Sequence, residues 1–328
     1  MSSNIARLLL LAASATPALS FCGAHTHLDR RQEGEVEVNQ FGYAGTIVSY
    51  QAPPIAPLVY DADLCAQGPL LWTSLDPAAN SACSTGTRQS PIDMVAEHFN
   101  MMPGSSIGLT IPDVPQGAEF ENLGTTVEVV MEGLGGQLTM SDGTAYNLSQ
   151  FHFHHPSEHM DNGTSMPMEM HMVFQSEANE VAVIGVYIDM EEPSAAAPGG
   201  GSGNNTLGVG YNATLAARNQ LHRRAPSSLL ETVFASVEQI AEPGSHTTTA
   251  PLVMSEVVDM LTAGNFQAYS GSLTTPPCTE GVSWFVSTQK LAISTSTFIN
   301  ARNVLGFNSR YPQNTPGEAN LLQMAAQT

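Results

Sequence analysis

Basic side chains are what this chain lacks. Of its 328 residues only 10 are Lys or Arg, against 30 Asp or Glu, and Lys290 is the only lysine. The resulting formal charge of -20 repels phosphate backbones and anionic lipid surfaces, so neither nucleic acid nor a charged membrane suits it as a partner. Charge of either sign is scarce at 12%, so the solvated surface must draw on Ser, Thr, Asn, Gln and Gly. No apolar run reaches the roughly 20 residues that a membrane-spanning helix needs. The C-terminal residues 321–328 lack the hydrophobic end of a lipid-anchor signal. No membrane anchor is expected, and nothing in the sequence fixes an oligomeric state. Cysteine is sparse too: Cys22, Cys65, Cys83 and Cys278 allow three full pairings, and spacing alone does not choose among them.

What is present starts with a 42% hydrophobic content, enough for a real core in one large domain or two ordinary ones. Residues 1–20 carry Arg7, an apolar run from Leu8 to Ala13, and the small-residue end Thr16-Pro17-Ala18-Leu19-Ser20. That is the pattern of a secretory signal peptide. The expectation is a secreted, extracellular protein with an N-terminal segment at 21–38 and a dibasic processing site at Arg30-Arg31. Export makes the sequons at Asn147, Asn162, Asn204 and Asn212 candidates for glycans, and favours paired cysteines.

Residues 39–95 read as loops with few regular elements. From Ile107 onward the texture is β. Ile107–Ile111, Thr125–Met131, Gln137–Met140, Leu148–His154, Met168–Phe174 and Val181–Met190 are short runs punctuated by Gly, Asn, Asp or Pro. The run from Val181 is continuously apolar, as a strand covered on both faces is. Residues 191–228 hold a Gly-rich, low-complexity stretch that reads as a surface insertion. Helical spacing follows at Ser228–Ile240, Pro251–Leu261 and Ser296–Leu305, with strand patterns at Phe266–Leu273 and Val282–Ser287. One mainly β domain at 39–316 with peripheral helices is expected, followed by a tail at 317–328.

Four of the ten histidines crowd into Phe151–His159. Alternate side chains of a strand share a face, so His152 and His154 point one way while Phe151 and Phe153 point into a core. If the run holding His171 pairs antiparallel with this one, three imidazoles meet, although His155 and His159 are spare histidines that spacing could equally choose. Three neutral imidazoles leave a fourth position open on zinc, which is the catalytic rather than the structural arrangement. His152, His154 and Glu158 also imitate a cupin metal motif, though His171 lacks the Gly- and Pro-rich approach of that fold.

Four ordered motifs resemble the α-class carbonic anhydrases. They are Gln89-Ser90-Pro91-Ile92-Asp93, Gln150–His154, Ser157-Glu158-His159 running to Glu169–Val173, and Ser272–Glu280, with Asn308-Ser309-Arg310 as a fifth echo. The resemblance covers roughly residues 41–312. It implies a central twisted, mostly antiparallel sheet of about ten strands, and reversible hydration of CO2 to bicarbonate by attack of zinc-bound hydroxide. Weak ester hydrolysis is a side activity of the same nucleophile. By the resemblance, one zinc per chain is held by His152, His154 and His171, with Gln150, Glu169 and the Asn308 carbonyl orienting them. Thr274 and Glu158 form the catalytic relay, while Val173, Val183, Leu273, Thr275 and Trp284 line the substrate pocket. The family's extracellular members imply a Cys83–Cys278 disulfide. Thr125 stands where fast members carry a proton-shuttling histidine, which leaves His155 and His98 as candidate substitutes. A catalytically silent binding module is the alternative class, disfavoured because all three ligands are intact.

Overall fold

The alternating runs become neighbouring strands of one large sheet in a computed structural model that describes residues 36–39, 41–43, 68–95, 98–99, 101–191 and 225–327. Residues 1–20, read above as a signal peptide, together with Arg30-Arg31, Cys22, Cys65, Asn204, Asn212 and most of the Gly-rich stretch, lie outside the described residues.

The strands, in chain order, are β1 (Asp93–Met94), β2 (Met101–Pro103), β3 (Gly108–Thr110), β4 (Glu119–Asn122) and β5 (Val127–Val130). Next come β6 (Gln137–Thr139), β7 (Ala145–His154), β8 (Met160–Asp161), β9 (Thr164–Ser165), β10 (Met168–Ser176) and β11 (Val181–Met190). The last are β12 (His246–Thr248), β13 (Asn265–Ser272), β14 (Glu280–Ser287) and β15 (Leu291–Ile293). Twelve strands form the main sheet, ordered β12-β4-β5-β7-β10-β11-β14-β13-β2, with β15 on β11, β6 on β7 and β3 on β6. Four of them, β2, β4, β12 and β15, carry no clear strand signature in the sequence. The pairing is antiparallel except where β11 meets β14 and β15 in parallel. A small separate sheet joins β1, β8 and β9.

The two faces of the sheet do different things. One carries Phe120, Val127, Val129, Phe151, Phe153, Met168, Met170, Met172 and Ile184, all fully buried in the main core. Helices α3 (Ser228–Phe234) and α4 (Ser255–Ala263) lay Leu229, Leu230, Val233, Phe234, Val257 and Leu261 on that core. Burying each such aliphatic or aromatic side chain contributes about 1.5–3 kcal/mol. The other face carries the intervening residues of the same strands, including the histidines. All eight residues from Val181 to Ile188 are buried, in keeping with a strand covered on both sides.

Helix bounds follow local chemistry. The helical pattern at Ser228–Ile240 divides into α3 and a 3-10 turn at Val237–Ile240. Between them Ser236 Oγ donates to the Val233 carbonyl, a local bond that competes with helix propagation. The pattern at Pro251–Leu261 begins only at Ser255, because Leu252 is pinned by reciprocal backbone bonds to Val114. Two four-residue helices, α1 (Trp72–Leu75) and α2 (Ala82–Thr85), are the regular elements within 68–90. Helix α5 (Thr295–Leu305) begins where the Ser294 side chain accepts from Thr297 N. Residues from 317, read above as a C-terminal tail, are tied to the early part of the chain. Gly317 N donates to the Thr87 carbonyl, and Asn320 Nδ2 to the Gly86 carbonyl, ahead of α6 (Leu321–Ala325).

Candidate metal centre

Strands β7 and β10 pair antiparallel, with His171 opposite His152 and Glu169 opposite His154. The ring centroids of His152, His154 and His171 lie 5.0, 5.3 and 4.5 Å apart. Each ring has one nitrogen anchored. His152 Nδ1 is 2.9 Å from Gln150 Oε1, His154 Nδ1 is 2.8 Å from the Asn308 carbonyl, and His171 Nε2 is 2.9 Å from Glu169 Oε1. Those oxygens accept, so the anchored nitrogens donate and the opposite nitrogens keep their lone pairs.

The opposite nitrogens, His152 Nε2, His154 Nε2 and His171 Nδ1, are buried without a hydrogen-bond partner among the described residues. The three residues can offer nitrogens within 4.8 Å of one another. An orphaned buried acceptor is costly, and three converging ones need a shared occupant. Neutral imidazoles suit a borderline-soft divalent cation such as zinc. They are held neutral here. Burial, reinforced by the neighbouring rings, keeps His152 well below the ordinary imidazole range, and burial with His171 takes His154 down to about 3.

A second cluster, His159 with Glu169 and His171, also meets the distance criterion for a metal. Its atoms are already spent. His159 Nδ1 lies 2.7 Å from Glu169 Oε1, and the backbone N–H groups of Glu158 and His159 donate to Glu169 Oε2 at 2.9 and 2.8 Å. Burial alone would raise the Glu169 pKa, but the attraction of His159 and His171, together with their hydrogen bonds, outweighs it and holds the carboxyl far below its usual range. The cluster is therefore a saturated network that steadies His171. Tyr269 OH extends it, 2.7 Å from His159 Nε2 and 2.8 Å from Ser90 Oγ.

Glu158 is fully buried, and its Oε1 accepts from Arg310 N at 2.8 Å. Its Oε2 lies 3.5 Å from His154 Nε2 and 3.9 Å from His171 Nδ1. Burial pushes its pKa up to about 7, against the pull of His171, the Arg310 amide and the Thr274 hydroxyl. Thr274 is close enough to favour the charged carboxyl, yet Thr274 Oγ1 and Glu158 Oε2 are both left without a hydrogen-bond partner among the described residues. Thr275 Oγ1 is orphaned in the same way.

The loop bearing Thr274 is closed by Leu273 N to the Thr279 carbonyl and Cys278 N to the Thr275 carbonyl. Cys278 is bonded to Cys83, with Cα atoms 5.0 Å apart, so the chain's early segment holds the loop. Arg310, fully buried, completes the clamp by donating to the carbonyls of Ser90 and Cys83 and to Gln89 Oε1.

Val173, Val183, Leu273 and Trp284 fall in one apolar cluster on the histidine face, separate from the main core. The Trp284 rings lie 4.9 Å from His171, so this wall abuts the triad. Thr125 is buried, with its hydroxyl accepting from Asn39 Nδ2 at 2.6 Å and its carbonyl from Asn308 Nδ2 at 3.0 Å. His155 turns to the Gly306 carbonyl and the Phe298 ring, and His98 is exposed. Asn147 on β7 and Asn162 in the β8–β9 turn are exposed.

Sequence reasoning left His159, Tyr269 and Arg310 without roles. No spacing rule connects residues that are 110 positions apart, as His159 and Tyr269 are.

The family model for eukaryotic-type carbonic anhydrase matches residues 67–198 and 204–320. The chain belongs to the α-class carbonic anhydrase family. Alpha carbonic anhydrase 6 of Arabidopsis thaliana is 31% identical over 225 residues, covering 69% of this chain and 71% of that relative. The structure of the fungal α-carbonic anhydrase from Aspergillus oryzae superposes with a TM-score of 0.67 at 34% identity, covering 80% of this chain and 96% of that one. The α-carbonic anhydrase of Thermovibrio ammonificans, solved with the inhibitor sulfanilamide, gives a TM-score of 0.59 at 29% identity, covering 78% and 94%. Membership of this family makes the chain a carbonic anhydrase, an enzyme of CO2 hydration. Among the described residues no helix is long and apolar enough to cross a membrane.

Proposed function

We propose that this carbonic anhydrase hydrates CO2 reversibly at a single zinc ion held by His152, His154 and His171. The observation that carries the reading is the convergence of three buried, orphaned imidazole nitrogens whose other ring positions are anchored. Bound there, zinc supplies a Lewis acid that brings the pKa of a coordinated water to about 7, the value known for carbonic anhydrase itself.

The chain's own residues supply the rest. Gln150, Glu169 and the Asn308 carbonyl fix which nitrogen of each ligand holds its proton. Glu158, pinned through Oε1 by Arg310 N, leaves Oε2 to accept the Thr274 proton. Thr274 Oγ1 can then only accept from whatever faces it, so the site selects a reacting group that carries a proton. Val173, Val183, Leu273 and Trp284 offer CO2 an apolar wall, and Thr275 offers a hydroxyl at its edge. Thr125 does not titrate near pH 7, so the released proton passes to buffer. At low buffer the rate should rise with buffer concentration, and a rate independent of it overturns this part. The same site accommodates weak ester hydrolysis, since an activated ester presents a similar carbonyl carbon.

The Cys83–Cys278 bond suits an oxidising compartment, which supports reading residues 1–20 as a secretory address and Asn147 and Asn162 as accessible glycan sites. The deciding assay is CO2 hydration by the zinc-replete protein with and without a sulfonamide. Activity abolished by the sulfonamide is expected, and a zinc-replete protein with no hydration activity contradicts the proposal.

A further inference from the structure

Strand β11 carries Val181, Val183 and Tyr187 at alternate positions on the histidine face, where they pack in the apolar cluster beside the triad. Gly185 breaks that series, although a glycine weakens a strand interior. Its backbone does not require glycine. The φ angle is not positive, and the ladder runs without a bulge through Gly185, which lies opposite His171 on β10 and Val286 on β14. The requirement is space. A Cβ added there would stand 2.9 Å from Glu169 Oε1, closer than Cβ contacts in proteins run. Its next neighbours, in the Trp284 ring and the Val286 side chain, would sit at an ordinary 3.7 Å. An alanine would therefore fit this strand but for one carboxylate oxygen. That oxygen is not free to turn aside. Glu169 is fully buried, with Oε1 accepting from His159 Nδ1 and His171 Nε2, and Oε2 from the N–H groups of Glu158 and His159. Moving Oε1 releases the His171 ring or leaves buried donors unmet.

We infer that Gly185 is a positioning residue for the metal centre. Its bare backbone is the recess that seats Glu169 Oε1, and through Glu169 it holds the His171 ring with Nδ1 turned toward the other two imidazoles. The residue acts through Glu169 and touches neither metal nor substrate. The inference rests on the reading of the triad as the zinc site of hydration.

The test reads metal affinity rather than turnover. Full-length wild type, Gly185→Ala, Glu169→Asp and the double variant compete with a chelator for zinc. Gly185→Ala should hold zinc about 10–100-fold less tightly than wild type, the scale on which outer partners of a zinc ligand act, known from carbonic anhydrase among others. Aspartate is one methylene shorter and draws the carboxylate back from position 185. Adding Gly185→Ala to Glu169→Asp should therefore weaken zinc binding no further, which is the coupling a double-mutant cycle detects. Visible spectra of the cobalt-loaded proteins should follow the same pattern, with Gly185→Ala departing from wild type and the double variant matching Glu169→Asp. Wild-type zinc affinity and cobalt spectrum in Gly185→Ala overturn the inference. So does an equal loss of affinity in both backgrounds, which would mark a general loosening of the strand. If Gly185→Ala alone fails to fold, a double variant that folds supports the clash with Glu169, and one that fails beside a folded Glu169→Asp contradicts it. Wild type that binds no zinc would overturn the triad reading, and this inference with it, whereas zinc-binding wild type with an unaffected Gly185→Ala overturns the inference alone.

Discussion

Thr274→Ala removes a single hydroxyl and leaves the three imidazoles and their anchors untouched. Zinc content should stay at the wild-type level while turnover falls by about 10²-fold or more, the usual scale for a proton-handling group in the reacting shell. Measuring metal by elemental analysis and CO2 hydration by stopped flow separates the two effects. Near-normal turnover would remove Thr274 from the relay. At this scale the His152 and His154 pair was legible because β periodicity is local, whereas the choice of His171 over His155 and His159 as the third candidate ligand came from the family resemblance and not from spacing. Gln150 and Glu169 were named as orienting partners by the same resemblance, and spacing added only that Glu169, two residues before His171, shares its face. The roles of His159 and Arg310 were not legible, because they depend on hydrogen bonds to Glu169, Tyr269, Ser90 and Gln89, which only the folded sheet brings together.

The start of α4 shows why element bounds escape sequence reading. Ser255 N donates to Asp113 Oδ1 at 2.9 Å, so the cap is supplied from a residue far back in the chain. That backbone bond, the leading cause, holds the exposed Asp113 carboxyl below its ordinary 3.8. A lowered folded pKa stabilises the fold above the unfolded value, and the contribution is lost as pH falls through the folded one. Asp113→Asn should therefore lower Tm slightly near neutrality. Its Tm should also fall less steeply than wild type as the medium is acidified below pH 3.8. Superimposable Tm profiles would show that the cap contributes nothing. Strand β4 escaped for a related reason. Glu119-Phe-Glu-Asn has the composition of a turn, and only its position between β12 and β5 makes it a strand.

At the scale of the whole molecule, the sheet divides an apolar core from a polar centre, and the Cys83–Cys278 bond joins the loop bearing Thr274 to a segment 195 residues earlier. Replacing both cysteines by serine should cost about 2–5 kcal/mol of unfolding free energy. Urea denaturation of the double variant checks this, and an unchanged midpoint would contradict it.

The central claim is that His152, His154 and His171 jointly hold one catalytic zinc. Zinc stoichiometry measured together with CO2 hydration, on wild type and His171→Ala after dialysis against a chelator and reloading, tests it most directly. The account predicts about one zinc per wild-type chain, none retained by the variant, and activity that follows the metal. A His171→Ala protein that keeps both its zinc and its hydration rate would contradict it.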